Sequence, residues 1–195
     1  IIENYYNLPE KILFTKNNIF PRHLSRDRFI SLLERQSRYM FDAKSCIYRQ
    51  PFAFIDIDGK FAELNNSWYT RNAQCKFFGS LNKFLEHFFD FIDYPVYVKY
   101  PPGGNIMVGK NDILCRPREF YRSLIKCIDY KENAPESYFI ERSLDIIFDE
   151  NVKINGTFLK CFPAATEGSI NTVKHFSQKA FLPLLLGNAN HKGST

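Results

Sequence analysis

Apolar residues in this chain fall into short segments whose spacing changes between the two-residue period of strands and the three-to-four-residue period of helices. The pattern predicts strands at Lys11–Phe14, in the apolar run that ends at Asp56, at Val96–Tyr100, at Asn105–Gly109 and at Thr157–Phe162. It predicts helices at Arg26–Met40, Leu81–Phe91, Arg118–Tyr130 and Pro135–Phe148. This order predicts an α/β fold in three layers, α/β/α, with a central mixed sheet.

The segments between these elements are predicted from turn residues and from the lack of a period. Ile1–Tyr6 is typical of the end of a helix, and Asn111–Asp112 is typical of a turn. Phe61–Asn72 is polar and aromatic without a clean period, which predicts a loop that covers a site. A chain of 195 residues buries one good core, so residues 1–195 are predicted to form a single domain with a flexible tail from about residue 187.

Composition narrows the class of protein. With 45% hydrophobic residues and 20 phenylalanines the chain is not a disordered protein, and no apolar run reaches the length that spans a bilayer. The formal charge of +5 is spread among acidic residues and matches no nucleic-acid-binding motif. Five cysteines without Cys-x-x-Cys spacing favour reduced thiols. We therefore expect a cytoplasmic protein with no membrane span and no nucleic-acid partner.

Two carboxylates follow the apolar run at Ala53–Ile55. Asp56 and Asp58 stand one residue apart and Gly59 follows them, so a strand delivers an Asp-x-Asp pair to the edge of the sheet. Carboxylate oxygens are the ligands that Mg²⁺ and Mn²⁺ prefer. An Asx turn that caps the strand is the alternative, because Asp-x-Asp-Gly is also ordinary turn chemistry.

Two further features have a functional and a structural interpretation. Gly103 and Gly104 follow two prolines after a predicted strand, so they either let the backbone approach a ligand closely or form a tight turn. Trp68, in the loop after the carboxylate pair, either stacks on a flat face of a ligand or belongs to the core. Strand C-terminal ends are where ligands gather in α/β sheets, and both Asp58 and the Pro101–Gly104 turn fall at such ends.

Five segments in order resemble an uncharacterised, glycosyltransferase-like family of fungal and large DNA virus proteins. The similar segments are Ile1–Pro9, Asp56–Gly59, Gly103–Val108, Arg116–Tyr121 and Ile140–Arg142. Proteins of this kind include glycosyltransferases that chloroviruses encode for their capsid glycans. The resemblance implies a type A glycosyltransferase fold, in which a mixed sheet holds a nucleotide sugar and the Asp-x-Asp pair binds a metal on its diphosphate.

The resemblance implies a metal-dependent transfer of a sugar from a nucleotide-diphosphate donor, most simply a UDP-sugar, to a glycan or glycoprotein acceptor. Mn²⁺ or Mg²⁺ on Asp56 and Asp58 would neutralise the leaving diphosphate. A carboxylate base would deprotonate the acceptor hydroxyl, and Glu141 and Asp112 are the candidates. Glu141 is otherwise part of a surface or structural ion pair, and Asp112 part of a turn.

Two departures from the family pattern keep a second function open. The family's opening strand is expected before Ile1, and an acidic Gly-Asp-Pro-Phe-Asp-His segment of the family is replaced here by Lys16–His23. Both are compatible with a catalytically inactive relative that acts as a carbohydrate-binding or virion structural module. A metal-dependent phosphate-ester hydrolase is a third possibility, because Asp-x-Asp after a strand also suits phosphoryl chemistry.

Overall fold

The computed structural model describes residues 1–16, 19–21, 24–41, 53–55, 61–65, 75–90, 94 and 97–164. Within these ranges the strands are β1 (Lys11–Phe14), β2 (Ala53–Ile55), β3 (Phe61–Leu64), β4 (Tyr97–Tyr100) and β5 (Ile106–Gly109). The α-helices are α1 (Arg26–Glu34), α2 (Leu81–Phe88), α3 (Lys110–Leu114), α4 (Arg118–Lys126), α5 (Glu136–Arg142) and α6 (Leu144–Ile147). Two short 3-10 helices cover Pro102–Gly104 and Gly156–Leu159. No helix in the described ranges is long and apolar enough to cross a bilayer.

The described strands form two small antiparallel sheets. Strand β1 pairs with β5, and Phe14 lies opposite Ile106. Strands β2, β3 and β4 form the second sheet, in which Ile55, Phe61 and Tyr100 lie in one row. The predicted mixture of strands and helices is confirmed. The described strands show no parallel pairing and no single central sheet, so the three-layer arrangement stays a prediction.

An aromatic core holds the helices against the sheets. Its largest fully buried rings come from α2, α4, α5 and the residues beside α2, and they are Phe78, Phe84, Phe88, Phe89, Phe120 and Phe139. Many of these rings meet edge to face, as Phe78 and Phe84 do at 5.4 Å between centroids. Such pairs add about 0.5–1.5 kcal/mol each beyond the burial of their area. The core is therefore rigid next to the turn that joins the two sheets.

Helix α1 begins as predicted and ends earlier than predicted. The Ser25 hydroxyl accepts a hydrogen bond from the Arg28 N–H at 3.2 Å, which caps the first turn. The prediction of a helix to Met40 was wrong, because α1 ends at Glu34. Gln36 has a φ of 53°, a left-handed conformation that a helix cannot continue through. Hydrophobic period alone does not reveal this stop.

The prediction of one continuous helix over Pro135–Phe148 was also wrong. Residues 135–148 form two helices, α5 and α6, which meet at Ser143. The Ser143 hydroxyl donates to the Phe139 carbonyl at 2.7 Å, and its backbone has a φ of −98° and a ψ of 3°. A side chain that bonds to the preceding turn in this way bends helices. The bend places α6 at a new angle beside the turn between β4 and β5.

Other corrections concern short segments. The predicted loop at Phe61–Asn72 contains strand β3, and the predicted turn at Asn111–Asp112 lies in helix α3. The predicted strand at Thr157–Phe162 is a 3-10 helix over Gly156–Leu159, and the predicted helix end at Ile1–Tyr6 is a series of turns. Short segments carry too few residues to separate the two periods, so their type is set by packing.

Candidate functional site

A cavity of about 500 Å³ lies beside the turn that joins the two sheets. Its walls come from the end of β1, the Pro102–Gly104 turn, α4, α5 and α6, and most of its lining side chains are apolar. Lys16 and Glu141 are the charged side chains in its lining. A largely apolar pocket of this size with a few polar groups is typical of a ligand site.

The glycine turn forms one wall of this cavity. Gly103 and Gly104 have φ angles of 77° and 70°, which other residues rarely adopt. The Gly104 N–H donates to the Pro101 carbonyl at 2.9 Å. Both glycines line the cavity, so the turn interpretation and the close-approach interpretation of the sequence apply to the same residues.

The Asn105 side chain holds the glycine turn in place through a hydrogen bond to Pro102. The sequence did not predict Asn105 as a site residue. Its side chain is fully buried. Its amide nitrogen donates to the Pro102 carbonyl at 2.9 Å, and its amide oxygen accepts from the Lys16 N–H at 3.0 Å. The residue therefore ties the glycine turn to the segment that follows β1. An Asn directly after two glycines was the available sequence signal.

Glu141 reaches the cavity from α5. Its Oε1 accepts a hydrogen bond from the Gly103 N–H at 2.7 Å. No described residue is hydrogen-bonded to its other oxygen, Oε2. One carboxylate oxygen is thus held in place, and the second has no described hydrogen-bond partner on a residue that lines the cavity, which is compatible with a general base.

A buried ion pair holds α5 against the second sheet. Arg142 donates to Glu63 Oε2 on β3 at 2.9 Å, and the two side chains are 4% and 2% exposed. The Tyr100 hydroxyl donates to the same oxygen at 2.6 Å, and the Arg142 guanidinium lies 4.8 Å from the Tyr100 ring centre. Burial raises the pKa of Tyr100 above its usual range; the positive charge of Arg142 opposes this shift and the Glu63 carboxylate adds to it.

This network orients Glu141 because Arg142 is its neighbour in α5. Glu141 and Arg142 point to different partners, one to the cavity wall and one to the sheet. The sequence analysis considered Glu141 itself as an ion-pair member. In the structure Arg142 takes that role, and Glu63, which lies in the segment predicted as a loop, is its partner.

Asp112, the other candidate base, lies outside the lining of the cavity. Its Oδ2 accepts from the Gly109 N–H at 2.9 Å and lies 3.5 Å from the Arg38 guanidinium. Arg38 also approaches Asp145 at 3.9 Å, so it links α3 to α6. Asp112 thus caps the start of α3 and takes part in an ion pair, and its position lends no support to a role as base.

The remaining predicted site residues, Asp56, Asp58 and Trp68, lie outside the described residues. Strand β2 ends at Ile55, directly before the carboxylate pair. Within the described part of the chain, no group of three or more His, Cys, Asp or Glu side chains is arranged to hold a metal ion. Two aspartates one residue apart still offer the oxygen donors that Mn²⁺ and Mg²⁺ take. The metal role of Asp56 and Asp58 stays a prediction.

Arg116 is a structural residue that the sequence analysis did not single out by role. Its buried guanidinium donates to four backbone carbonyls at or after the end of α6, those of Ile146, Ile147, Asp149 and Val152. These charge-assisted bonds stabilise the C-terminal end of α6 and the turns after it, where the Ile146 and Asp149 carbonyls also accept backbone N–H bonds. Leu144 and Ile147 of α6 line the cavity, so Arg116 supports that wall.

Comparison of the chain with protein-family models, with curated proteins and with solved structures found no match. The functional argument therefore depends on the residues and their geometry. That geometry brings together Gly103, Gly104 and Glu141, which the sequence analysis named from separate segments.

Proposed function

We propose that this chain is a metal-dependent glycosyltransferase that moves a sugar from a nucleotide-diphosphate donor, of the UDP-sugar type, to a hydroxyl of a glycan or glycoprotein acceptor in a cytoplasmic setting. One observation carries the proposal. Glu141 and the Gly103–Gly104 turn line the same cavity. Glu141 is also hydrogen-bonded to Gly103, although the two residues are 38 positions apart in the sequence.

Glu141 is the proposed base. Its Oε1 is held by the Gly103 N–H, and its Oε2 is the atom that takes the proton from the acceptor hydroxyl. The hydroxyl oxygen then attacks the anomeric carbon of the donor sugar, and the bond from that carbon to the diphosphate breaks. Apolar walls around the carboxylate exclude water and favour the acceptor as the nucleophile.

Asp56 and Asp58 are the proposed metal ligands. Strands β2 and β4 both run antiparallel to β3, so they point the same way, and Ile55 and Tyr100 end them in one row. Two strand spacings lie between Ile55 and Tyr100, which places them about 10 Å apart. Asp56 follows Ile55 and the glycine turn follows Tyr100, which supports a shared site. A bound Mn²⁺ or Mg²⁺ supplies positive charge for the departing diphosphate.

The type A fold belongs to the same proposal. Strands and helices are interspersed along the chain as far as β5, and the carboxylate pair and the glycine turn both follow strand ends, as the resemblance implies. The two described sheets are antiparallel, so an experimental structure of all 195 residues tests the three-layer arrangement directly. A central sheet that contains a parallel strand pair and has helices on both faces supports the proposed fold, and the lack of any parallel pair across the whole chain contradicts it.

A second candidate is a carbohydrate-binding relative without catalysis. Tyr138 favours it, because this residue lines the cavity and is 37% exposed, and tyrosine rings stack on sugars. In this case glycans bind without a nucleotide donor and without a metal. A glycan can bind at Tyr138 in either case, as the acceptor of a transferase or as the ligand of a binding protein. Glycan binding alone therefore does not distinguish the two functions, whereas catalysis of sugar transfer does.

A thermal-shift screen tests the proposal. Nucleotide sugars are added with and without Mn²⁺ to the wild type and to the Asp56→Ala/Asp58→Ala variant. A ligand present at about 100 times its Kd stabilises a protein by about 2.7 kcal/mol, which is a measurable shift in Tm. We expect a shift with one nucleotide class that needs Mn²⁺ and is lost in the variant. Stabilisation by glycans alone, with no response to any nucleotide sugar, would falsify the transferase.

Transfer itself is measured next with the donor that the screen identifies. Release of the nucleoside diphosphate is followed in the presence of glycan acceptors, and the same double variant is the control. Release that depends on both the acceptor and Mn²⁺ supports the transferase. Release of phosphate from an aryl phosphate, without sugar transfer, supports the hydrolase instead.

A further inference from the structure

The cavity has a site for negative charge that is distinct from the glycine turn. Turns with successive glycines often bind phosphate through their backbone N–H groups. Here the Gly103 N–H is bonded to Glu141, and the Gly104 N–H is bonded to the Pro101 carbonyl. These two donors are therefore not available to a ligand. A phosphate that enters this cavity needs another donor.

Lys16 supplies that donor. Among the described residues it is the cation that lines the cavity, it is exposed, and no described residue forms a hydrogen bond or ion pair with its ammonium group. Its backbone is fixed, because the Lys16 N–H donates to the buried Asn105 side chain at 3.0 Å. A lysine whose main chain is anchored at a cavity wall and whose ammonium has no described partner is suited to bind an anion.

Lys16 and Glu141 bring charges of opposite sign to the lining of one cavity. Strand β1 pairs with β5 so that Phe14 lies opposite Ile106, and Lys16 follows two residues later and is bonded to Asn105, next to the glycine turn. Glu141 contacts the turn itself through Gly103. An anionic group is attracted to Lys16 and repelled from Glu141.

We propose that Lys16 binds a phosphate of the nucleotide-diphosphate donor and thereby orients the donor, with the diphosphate at Lys16 and the sugar towards Glu141. The inference rests on the proposed function and deepens it by naming a donor-binding residue. Lys16 makes the contact while the leaving diphosphate acquires charge, so its ammonium also stabilises the departing group.

Three variants at Lys16 and one control test the inference. The variants are Lys16→Gln, Lys16→Glu and Lys16→Arg. The control is Lys153→Gln, which removes the charge of another exposed lysine away from the cavity. Binding of UDP, GDP and inorganic pyrophosphate is measured by calorimetry with and without Mn²⁺, and thermal unfolding of each variant verifies the fold.

We expect Lys16→Gln to weaken binding of the preferred diphosphate by about tenfold to a hundredfold, because hydrogen bonds to charged groups contribute about 1.5–3 kcal/mol. Lys16→Glu weakens it further, Lys16→Arg retains most of it, and Lys153→Gln leaves it unchanged. Binding to the wild type also falls with rising salt, and the Lys16→Gln variant shows a smaller dependence on salt.

The outcomes separate this inference from the proposed function. If nucleotide sugars bind and react while the Lys16→Glu variant binds UDP and pyrophosphate as the wild type does, the role of Lys16 is overturned and the transferase stands. If pyrophosphate binds through Lys16 but no nucleotide sugar is transferred, the transferase is overturned and the anion site stands. If none of the three probes binds the wild type, the role of Lys16 is overturned as well.

Discussion

Glu141 accepts a hydrogen bond from the Gly103 N–H at 2.7 Å, and this contact joins helix α5 to the turn between the two sheets. Gly103 donates this bond from a backbone conformation with a φ of 77°. The carboxylate and the turn therefore depend on each other. A change at either residue is expected to alter the site and leave the aromatic core in place.

Replacing Glu141 with glutamine removes the proposed base and keeps its contact. The amide oxygen of Gln still accepts from the Gly103 N–H, so the variant folds with the same turn. We expect kcat for transfer to fall by about 10²–10⁴, because that is the usual contribution of a general base. The affinity for the donor is expected to stay within about twofold, since the proposed partner of Glu141 is the acceptor.

Steady-state kinetics on the purified variant measure this effect. Glu132→Gln is the matched control, because Glu132 is exposed and does not line the cavity. A Glu141→Gln variant with the kcat of the wild type would show that another group takes the proton.

The Arg142–Glu63 ion pair is expected to contribute strongly to stability. Both side chains are almost fully buried, and breaking such a pair by removing one partner costs about 3–5 kcal/mol. Arg142→Met leaves the Glu63 carboxylate buried without its cation, although the Tyr100 hydroxyl still donates to it. We expect the free energy of unfolding in urea to fall by about 3–5 kcal/mol.

The exposed pair Lys83–Glu86 serves as the control for this loss. Its side chains are 60% and 55% exposed, and Glu86→Gln is expected to change stability by less than about 1 kcal/mol. An equal effect of the two substitutions would contradict the structural role of Arg142.

Alanine at Gly103 or Gly104 is expected to strain the turn. A Cβ on Gly104 meets Leu144 Cδ1 at 3.7 Å, an ordinary contact, so the cost comes from the φ of 70° and not from a clash. The left-handed conformation costs a residue with a Cβ about 1–2 kcal/mol. Gly104→Ala should lower the free energy of unfolding by about this amount.

Gly156→Ala is the matched control for the turn. A Cβ at Gly156 has no neighbour within 4 Å, and Gly156 is not among the glycines with positive φ. Its stability is expected to be within about 0.5 kcal/mol of the wild type, as for most surface substitutions. If Gly156→Ala lowers stability as much as Gly104→Ala does, the positive φ of Gly104 does not explain the loss.

His87 is expected to make stability depend on pH. The residue lies in α2 and is 8% exposed, its ring lies 4.9 Å from that of Phe88, and its Nε2 has no hydrogen-bond partner among the residues that the structure describes. Burial, and then the charge of Lys160, lowers the pKa of His87 below its usual value. The unfolded chain therefore takes up a proton near pH 6.5 while the folded protein stays neutral.

Stability from His87 is present above about pH 6.5 and is lost as the pH falls through the lowered pKa of the folded state. The free energy of unfolding in urea, the quantity used for Arg142, is measured at about pH 7.5, 6.5 and 5.5. In the His87→Leu variant the decline with falling pH is smaller, because the contribution of His87 is removed. Identical pH profiles for the two proteins would contradict this assignment.

The sequence by itself determined the features that depend on neighbouring residues. The spacing of apolar residues predicted β1, α2, β4, β5 and α4 to within a few residues of their observed ends. Ser25 marked the start of α1, and the Pro-Gly sequence marked the turn at Gly103 and Gly104. These features follow from backbone conformation and local hydrogen bonds, which the order of residues specifies directly.

Tertiary structure alone decided which elements meet. Glu63 and Arg142 are 79 positions apart, and neither a strand at Glu63 nor its pairing with Arg142 follows from the local pattern. Asp112 and Glu141 were both candidate bases in the sequence, but packing gave Asp112 Arg38 as a partner and left it outside the cavity. The hydrophobic period shows that one face of an element is buried. It does not show which other element packs against that face, because many pairings of elements bury the same apolar area. The partner of each charge was therefore fixed only when the elements packed together.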